Sequence, residues 1–546
     1  MGFASRYSLN QFGNFPWQTI GTLNRYSSGG ALLYIAAFGI VFGGYGLGHW
    51  LVKRTSRQDD GRGAKNSWLL AVVVGFGLLF NLILLPMYPV DATDIYDNIM
   101  RGRISAIYGL NPLQTTPNDV KQDIFYPFTA WRNVPSAYGP AWEMLARVTE
   151  QAINSSNRTK NVIAFKLVSI AAYALSALFI GLTLRRIAPR RVLVGLYLWM
   201  WNPLVVYMTA ATGHNDTVMI ACMLGAVYLV SRRWYVAATL ALILGALVKF
   251  IPILLVPLIV IAAFRVLGWR GWLRYLLVSV SLSGALIIGA YAPYWHGWET
   301  LRTERRELMY TSSVATVLRE FLIPVFDQAA IETAPSKTPI TNALLANSTL
   351  VLFGLFYAVQ LYEVWCDPHP RTLIRVAARL LLFYLVVVSL WFQAWYVLWI
   401  LALASLLEDT PVRRLVLMFS YLVTLQPLLY DYLVVRTRTG AYLPWLDLVP
   451  VSIYMGYPWL YSGWYQLTTK LQMRRRLAED QRIGRQMAHS RRSAGLSLSE
   501  LSDELVIPYD ILGQYECGER SLSLDHGRRL AQRLDLSLED WLALKA

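Results

Sequence analysis

Charge is what this 546-residue sequence has least of: 15% of its residues are Asp, Glu, Lys or Arg, against 55% hydrophobic. Soluble domains carry about 25% charged residues, so a conventional multidomain soluble enzyme is excluded. The mean hydropathy of +0.38 also excludes a disordered chain, which needs low hydrophobicity and high net charge. Cysteine is nearly absent. Cys222, Cys366 and Cys517 lie far apart and match no metal-ligand spacing, which argues against a disulfide framework or a zinc site. The first 30 residues lack the basic, apolar and small-residue succession of a signal peptide, so none is expected. Acidic residues are also in deficit, 34 against 50 Lys and Arg, for a net charge of +16. A basic excess suits nucleic acid, anionic lipid, or loops that must stay in the cytoplasm.

What the sequence does have is apolar length and aromatic rings. There are 20 Trp and 32 Tyr, residue types enriched where amphipathic rings sit at bilayer interfaces. Apolar runs bounded by charge, Gly or Pro recur about thirteen times, from 31–52 to 446–466, each at or near the length that spans a bilayer. The expected fold is therefore all-α, a polytopic transmembrane helical bundle. Lys and Arg cluster in alternate short connections, among them Lys53–Lys65, Arg185–Arg191, Arg371–Arg379 and Lys470–Arg476. The long loops 89–160 and 295–342 are nearly balanced in charge. The positive-inside rule then places both long loops and the Gly213–Asp216 turn outside the cell membrane, with the C-terminus in the cytoplasm. Three parts are expected: a membrane domain over 1–469, a basic linker over 470–483, and a small all-α cytoplasmic domain over 484–546.

Loop 89–160 exceeds the length of a simple connector, and such loops are usually functional or disordered. Asp91, Asp94 and Asp97 follow the end of a membrane segment, where partial desolvation makes a carboxylate a better base. The same acids could merely cap the next helix. Tyr138-Gly139-Pro140 and Glu143 lie further along the loop. Trp201-Asn202-Pro203 interrupts one apolar run, and Gly213-His214-Asn215-Asp216 opens the next, where ionisable residues are costly and suggest function. Lys249 ends another run and could snorkel to the interface or hold a phosphate. Gln393 and Trp395 mark a further boundary, where an aromatic belt is the bland explanation. Arg302, Arg305 and Arg306 could pair with neighbouring Glu residues, or bind an anion through their forked donors. Together these residues place acids, a His/Asn/Asp turn, a Lys and several Arg at one membrane face.

The run Asp94-Ile-Tyr96, Arg101-Gly102-Arg103, Gly109-Leu-Asn111-Pro112, Tyr138-Gly139-Pro140, Trp201-Asn202-Pro203, Gly213–Asp216, Leu247-Val-Lys249 and Trp391 to Tyr396 resembles bacterial polyprenyl-phosphate-mannose-dependent mannosyltransferases of the GT-C superfamily. The resemblance spans residues 68–466. It departs from the family at Leu113, where Tyr is common, and at Asn98 and Arg101, where Tyr and an acid are frequent. The resemblance implies a GT-C-type bundle with Asp94 as general base and Asp91 as the second candidate. His214, Asn215, Asp216, Tyr138, Glu143, Gln393 and Trp395 would line the substrate pocket, and Lys249, Arg302, Arg305 and Arg306 would hold the donor phosphate. The donor would be a polyprenyl-phosphate sugar, by default mannose, and the acceptor a glycan or glycolipid of the cell envelope. No cofactor or metal ligand set is implied, and a divalent metal has no support in the residues.

Residues 491–539 resemble the helix-turn-helix domain of phage-repressor-like regulators, through Arg491 to Ser502, Tyr515 to Arg520 and Arg529 to Glu539. The second helix of such a pair reads the major groove. Here it has no Lys or Arg before Arg520, and the segment is net negative, whereas DNA binding needs a basic footprint. A protein-interaction role is expected over DNA binding. A transporter or lipid flippase and a membrane-tethered DNA-binding sensor are the alternative classes. The acid-bearing external loop argues against the first and the net-negative tail against the second.

Overall fold

The computed structural model describes residues 2–16, 18–57, 63–90, 94–301, 310–327, 338–435 and 445–534. Asp91, Arg302, Arg305 and Arg306 lie outside the described residues. Among those described, the chain is all-α, and its β pairing is confined to two isolated bridges, Ser8 with Met87 and Thr311 with Trp391. It divides into two units, Met1–Pro458 and Trp459–Ala546.

In the first unit, five helices are long and apolar enough to cross a membrane: Ser28–Ser56, Ser67–Leu84, Arg158–Ile187, Ile251–Tyr294 and Pro339–Cys366. Two bent pairs bring the number up to seven, and three further apolar helices, Asp216–Ser231, Tyr235–Ala246 and Ala394–Ala404, are shorter. Breaks in the sequence bend or shorten several of the apolar runs. Gly268 adopts φ 68°, a conformation that costs glycine little, and kinks the single helical stretch Val256–Tyr291. Pro203 has no N–H to donate and disfavours helix at the residue before it. The Val192–Met200 helix stops there, and Asn202 caps the next by accepting from the Leu204 and Val205 amides at 3.0 and 3.3 Å. The two pieces meet at 52°. Asn202 also donates to Ser420 Oγ at 3.1 Å, fixing the bend against a neighbouring helix. In an apolar medium each backbone group freed at such a break needs a new partner, and these caps supply it.

The segment 94–160 is a folded lobe. Its two principal helices, Asp94–Ala106 and Pro140–Ile153, pack through Ile95, Ile99, Met100, Ile104, Trp142 and Ala146, all buried. Arg103 lies between them and pairs with Asp123 at 2.9 Å and Glu150 at 3.7 Å, all three buried. A buried charge is tolerable only when paired and hydrogen-bonded, and this triad ties the middle of the loop to both helices.

In the second unit, three short helices, Leu498–Leu505, Tyr509–Cys517 and Leu524–Arg533, share a core of Leu501, Ile507, Leu512, Tyr515, Leu522 and Leu530 with Ile483 and Met487. Gly484 sits so close to the Tyr515 carbonyl that a Cβ would lie 2.3 Å from it. The basic segment expected as a linker, 470–483, is helical and belongs to the helix Trp445–Ser493.

Candidate active site

The first helix of the lobe begins at Asp94, and its opening turn rests on the Gly213–Asp216 turn. Gly213 has φ +70°, and a Cβ there would lie 2.6 Å from Ile95 Cδ1 and 3.1 Å from Lys166 Cγ. Only glycine meets both the left-handed backbone and the close approach. The His214 carbonyl accepts from Ser169 Oγ at 3.2 Å and Thr217 Oγ1 at 3.1 Å, and its amide donates to the Met208 carbonyl at 3.1 Å. So held, the His214 imidazole stacks on the Trp395 indole, with centroids 4.0 Å apart and an interplanar angle of 21°.

Asp216 opens the next helix and is fully buried. Its Oδ1 accepts from Lys249 Nζ at 2.8 Å and from Trp399 Nε1 at 2.6 Å. The Lys249 ammonium lies 4.7 Å from the ring centre of Tyr396, 5.3 Å from Trp399 and 5.8 Å from Tyr138, within reach of the attraction between a cation and an aromatic face. The lysine therefore neither snorkels freely nor stands as a bare cation. It is half of a partly buried ion pair with the fully buried Asp216, inside an aromatic cage.

The Tyr138-Gly139-Pro140 motif explains how the lobe reaches that cage. Gly139 N donates to the Val248 carbonyl and Ala141 N to the Leu247 carbonyl, both at 3.1 Å. A Cβ on Gly139 would lie 2.0 Å from the Leu247 oxygen, so only glycine admits this docking. The Tyr138 ring is thereby placed beside Lys249, and its hydroxyl donates to Asp94 Oδ2 at 3.4 Å. Asp94, Tyr138, His214, Asn215, Asp216, Lys249 and Trp395 come together at one end of the bundle, from sequence positions up to about 300 residues apart. Within that cluster, His214 Nε2, Asn215 Nδ2 and Asp216 Oδ2 are buried and have no hydrogen-bond partner among the described residues. Unpaired buried polar groups are rare and call for an explanation, and a polar ligand supplies one.

Glu143 stands apart from this cluster. It is fully buried and accepts from Ser136 Oγ at 2.5 Å. Burial pushes its carboxyl up to about 7, against the opposing effects of Ser136 and Arg101. Gln393 is half-buried just before the Ala394–Tyr396 turn. Asp97, one turn after Asp94, is buried and accepts from the Ala130 and Trp131 amides at 3.3 and 3.1 Å. Burial pushes its carboxyl up to about 7; Arg101 opposes this and the Asp94 charge adds to it. Arg101 donates to the Trp131 and Val134 carbonyls at 3.0 and 2.6 Å. Asp97 and Arg101 thus grip the backbone of 130–134, which leads into Tyr138. Among the described residues, no group of three His, Cys, Asp or Glu is placed to hold a metal ion.

Sequence reasoning missed Trp399 and Lys166, and placed Tyr396 only within the Trp391–Tyr396 motif, without a site role. Trp399 lies four residues after Trp395 and shares its helical face, a signal hidden in an aromatic-rich run. Lys166 is fully buried and donates to the Leu85 and Met87 carbonyls at 3.2 and 2.5 Å, tying the chain before the lobe to the helix behind His214.

Residues 15–265 match the model of a family described as alpha-(1->6)-mannopyranosyltransferase, N-terminal domain, slightly under half of the chain. The matched part includes Asp94, Tyr138, His214, Asp216 and Lys249 and stops before Trp395 and Trp399. No curated protein matches the chain. The family match makes the chain a glycosyltransferase and supports mannosyl transfer.

Proposed function

We propose that this glycosyltransferase moves mannose from a polyprenyl-phosphate donor to a glycan or glycolipid acceptor at the outer face of the cell membrane, with inversion. The observation that carries the reading is the convergence of Asp94, Tyr138, His214, Asp216 and Lys249, with buried polar atoms that lack partners, at one end of an apolar bundle.

In the proposed step Asp94 takes the proton from the acceptor hydroxyl as general base. The acceptor oxygen bonds to the anomeric carbon while the bond from that carbon to the phosphate oxygen breaks. Polyprenyl phosphate leaves with the electron pair. Tyr138 orients the Asp94 carboxylate through its hydroxyl. Asp216 Oδ2, Asn215 Nδ2 and His214 Nε2 are offered to the sugar hydroxyls, and the Trp395 ring provides an apolar face for the sugar. Lys249 points its ammonium toward the leaving group, and its ion pair with Asp216 holds it in place, because positioned dipoles and charges act without reorganisation. Arg302, Arg305 and Arg306 are proposed as further donors to the departing phosphate. The lipid tail stays among the helices, which accounts for a catalyst embedded in the bilayer. The C-terminal domain is proposed to bind a cytoplasmic protein rather than DNA; specific duplex binding at physiological salt would overturn that reading.

The test is transfer by the purified full-length protein, supplied with polyprenyl-phosphate mannose and acceptor extracted from membranes. Wild type should transfer the sugar. Activity that survives Asp94→Asn combined with Asp91→Asn refutes the base assignment.

A further inference from the structure

At the end of the bundle away from Asp94, five cations gather around two carboxylates. The Arg158–Ile187 helix measures the separation. Ser169 touches His214, and the Ile187 carbonyl, 18 residues on, accepts from Arg371, roughly 27 Å further at 1.5 Å per residue. There Asp409 alone accepts ion pairs from Lys53, from Arg413 at 3.1 Å and from Arg414 at 2.9 Å. Glu408 lies 3.9 Å from Arg371. Arg191 donates to the Leu406 carbonyl at 3.1 Å and stands within electrostatic reach of Arg413 and Arg371.

Among the described residues, two carboxylates do not neutralise five cations, and the position makes the excess more costly. Arg413 and Arg414 sit in the first turn of the Pro411–Val423 helix, which has no acidic residue there. That end of a helix carries partial positive charge and favours anions. Arg413 is 2% exposed, so it is not a solvated anchor that reaches into water. Its Nε, Arg191 Nη2 and His49 Nε2 are buried with no hydrogen-bond partner among the described residues, and His49 lies within electrostatic reach of Arg413 and Lys53. A group that merely satisfied the positive-inside rule would not leave buried arginine N–H donors idle, since an unpaired buried donor is costly.

We propose that this cluster binds a phosphoryl anion, held by Arg191 and Arg413 at the N-terminus of the Pro411–Val423 helix. Arg forks match tetrahedral phosphate oxygens with paired, charge-assisted bonds, and the positive end of the helix dipole favours the same anion, while the Arg413 and Arg414 amides are themselves taken by Thr410. The anion is either the headgroup phosphate of an anionic phospholipid in the adjoining leaflet or free phosphate. The site is separate from the proposed transfer chemistry, and its test does not depend on activity.

Full-length protein in detergent is titrated with inorganic phosphate while its melting is followed, and protein reconstituted with phosphatidylglycerol or with phosphatidylcholine alone is examined for retained lipid by native mass spectrometry. Retention of phosphatidylglycerol over phosphatidylcholine, reduced about tenfold in Arg191→Gln, identifies the lipid source. A rise in melting temperature with millimolar phosphate, lost in Arg191→Gln, identifies free phosphate. Arg413→Gln should lower either response further. Should it fail to fold, Arg191→Gln and the exposed Arg371→Gln carry the comparison. A folded wild type that responds to neither probe, or variants that respond as wild type does, overturns the proposal.

Discussion

Gly139→Ala tests the docking of the lobe onto Lys249. The new methyl would sit 2.0 Å from the Leu247 oxygen and 2.5 Å from its carbon, and contacts under 3.0 Å are essentially never seen. The obstacle is backbone rather than a flexible side chain, so the two segments must part by about 1 Å or more. That separation stretches the Gly139–Val248 and Ala141–Leu247 hydrogen bonds, each 3.1 Å long and each worth about 1 kcal/mol net. With an overpacking cost of roughly 1–3 kcal/mol, the variant should lose about 3–5 kcal/mol locally. Tyr138 moves with the segment, and its 3.4 Å hydrogen bond to Asp94 has no slack to absorb the shift. A misplacement near 1 Å can cost about 100-fold in rate. Turnover should therefore fall by about that factor, measured as sugar transfer at saturating donor, alongside a lower melting temperature of the detergent-solubilised protein. Wild-type turnover and melting in Gly139→Ala would refute the docking argument.

The other predictions concern charge and orientation. Lys249→Met leaves Asp216 buried with Trp399 as its remaining donor, and should destabilise by about 3–5 kcal/mol. Combining it with Asp216→Asn should recover part of that loss, so a strictly additive double variant in thermal melting would contradict a direct pair. Asp97 and Glu143 are both pushed up to about 7 by burial. Their neutral forms suit the fold, so the stability they lend is full below about pH 4 and is lost as pH rises through 7. Protection factors of residues 94–153, normalised to the intrinsic exchange rate at each pH, should be higher at pH 5 than at pH 8, and Asp97→Asn should flatten the difference; equal protection factors at both would exclude this burial. Cys366 and Cys517 are exposed and fall on the cytoplasmic side in the proposed orientation. A membrane-impermeant maleimide should label them only after cells are opened, and labelling of intact cells would reverse the topology.

Much of the fold was legible because its signals are local. Apolar runs interrupted by Pro and Gly fixed where helices stop, as at Trp201-Asn202-Pro203, where one capping Asn and one Pro suffice. The charge alternation marked two groups of loops; Lys53 meets Asp409 from two of the basic connections, and Gly139 of the long loop meets Val248 at the end of another apolar run. The site was only partly legible. Asp94, Tyr138, His214, Asp216 and Lys249 stood out as polar residues at apolar boundaries. Trp399 and Tyr396 did not, because rings in an aromatic belt look alike until one of them donates to a buried carboxylate. Glu143 looked equivalent to the other loop acids, and burial behind Ser136 sets it apart.

By itself the sequence determined an all-α chain rich in membrane-length helices, with its positive charge on alternate loops. Those properties depend on composition and short-range periodicity, which need no knowledge of which helices touch. Only the tertiary structure decided that Lys249 is spent on Asp216, that Gly139 is an obligatory contact rather than a turn, and that five cations share two carboxylates at the far end. Each of these depends on groups distant in sequence being brought together by the fold, around a fully buried Asp216 in one case and a fully buried Arg413 in the other. There the partner that happens to be within 3 Å settles a residue's charge and role.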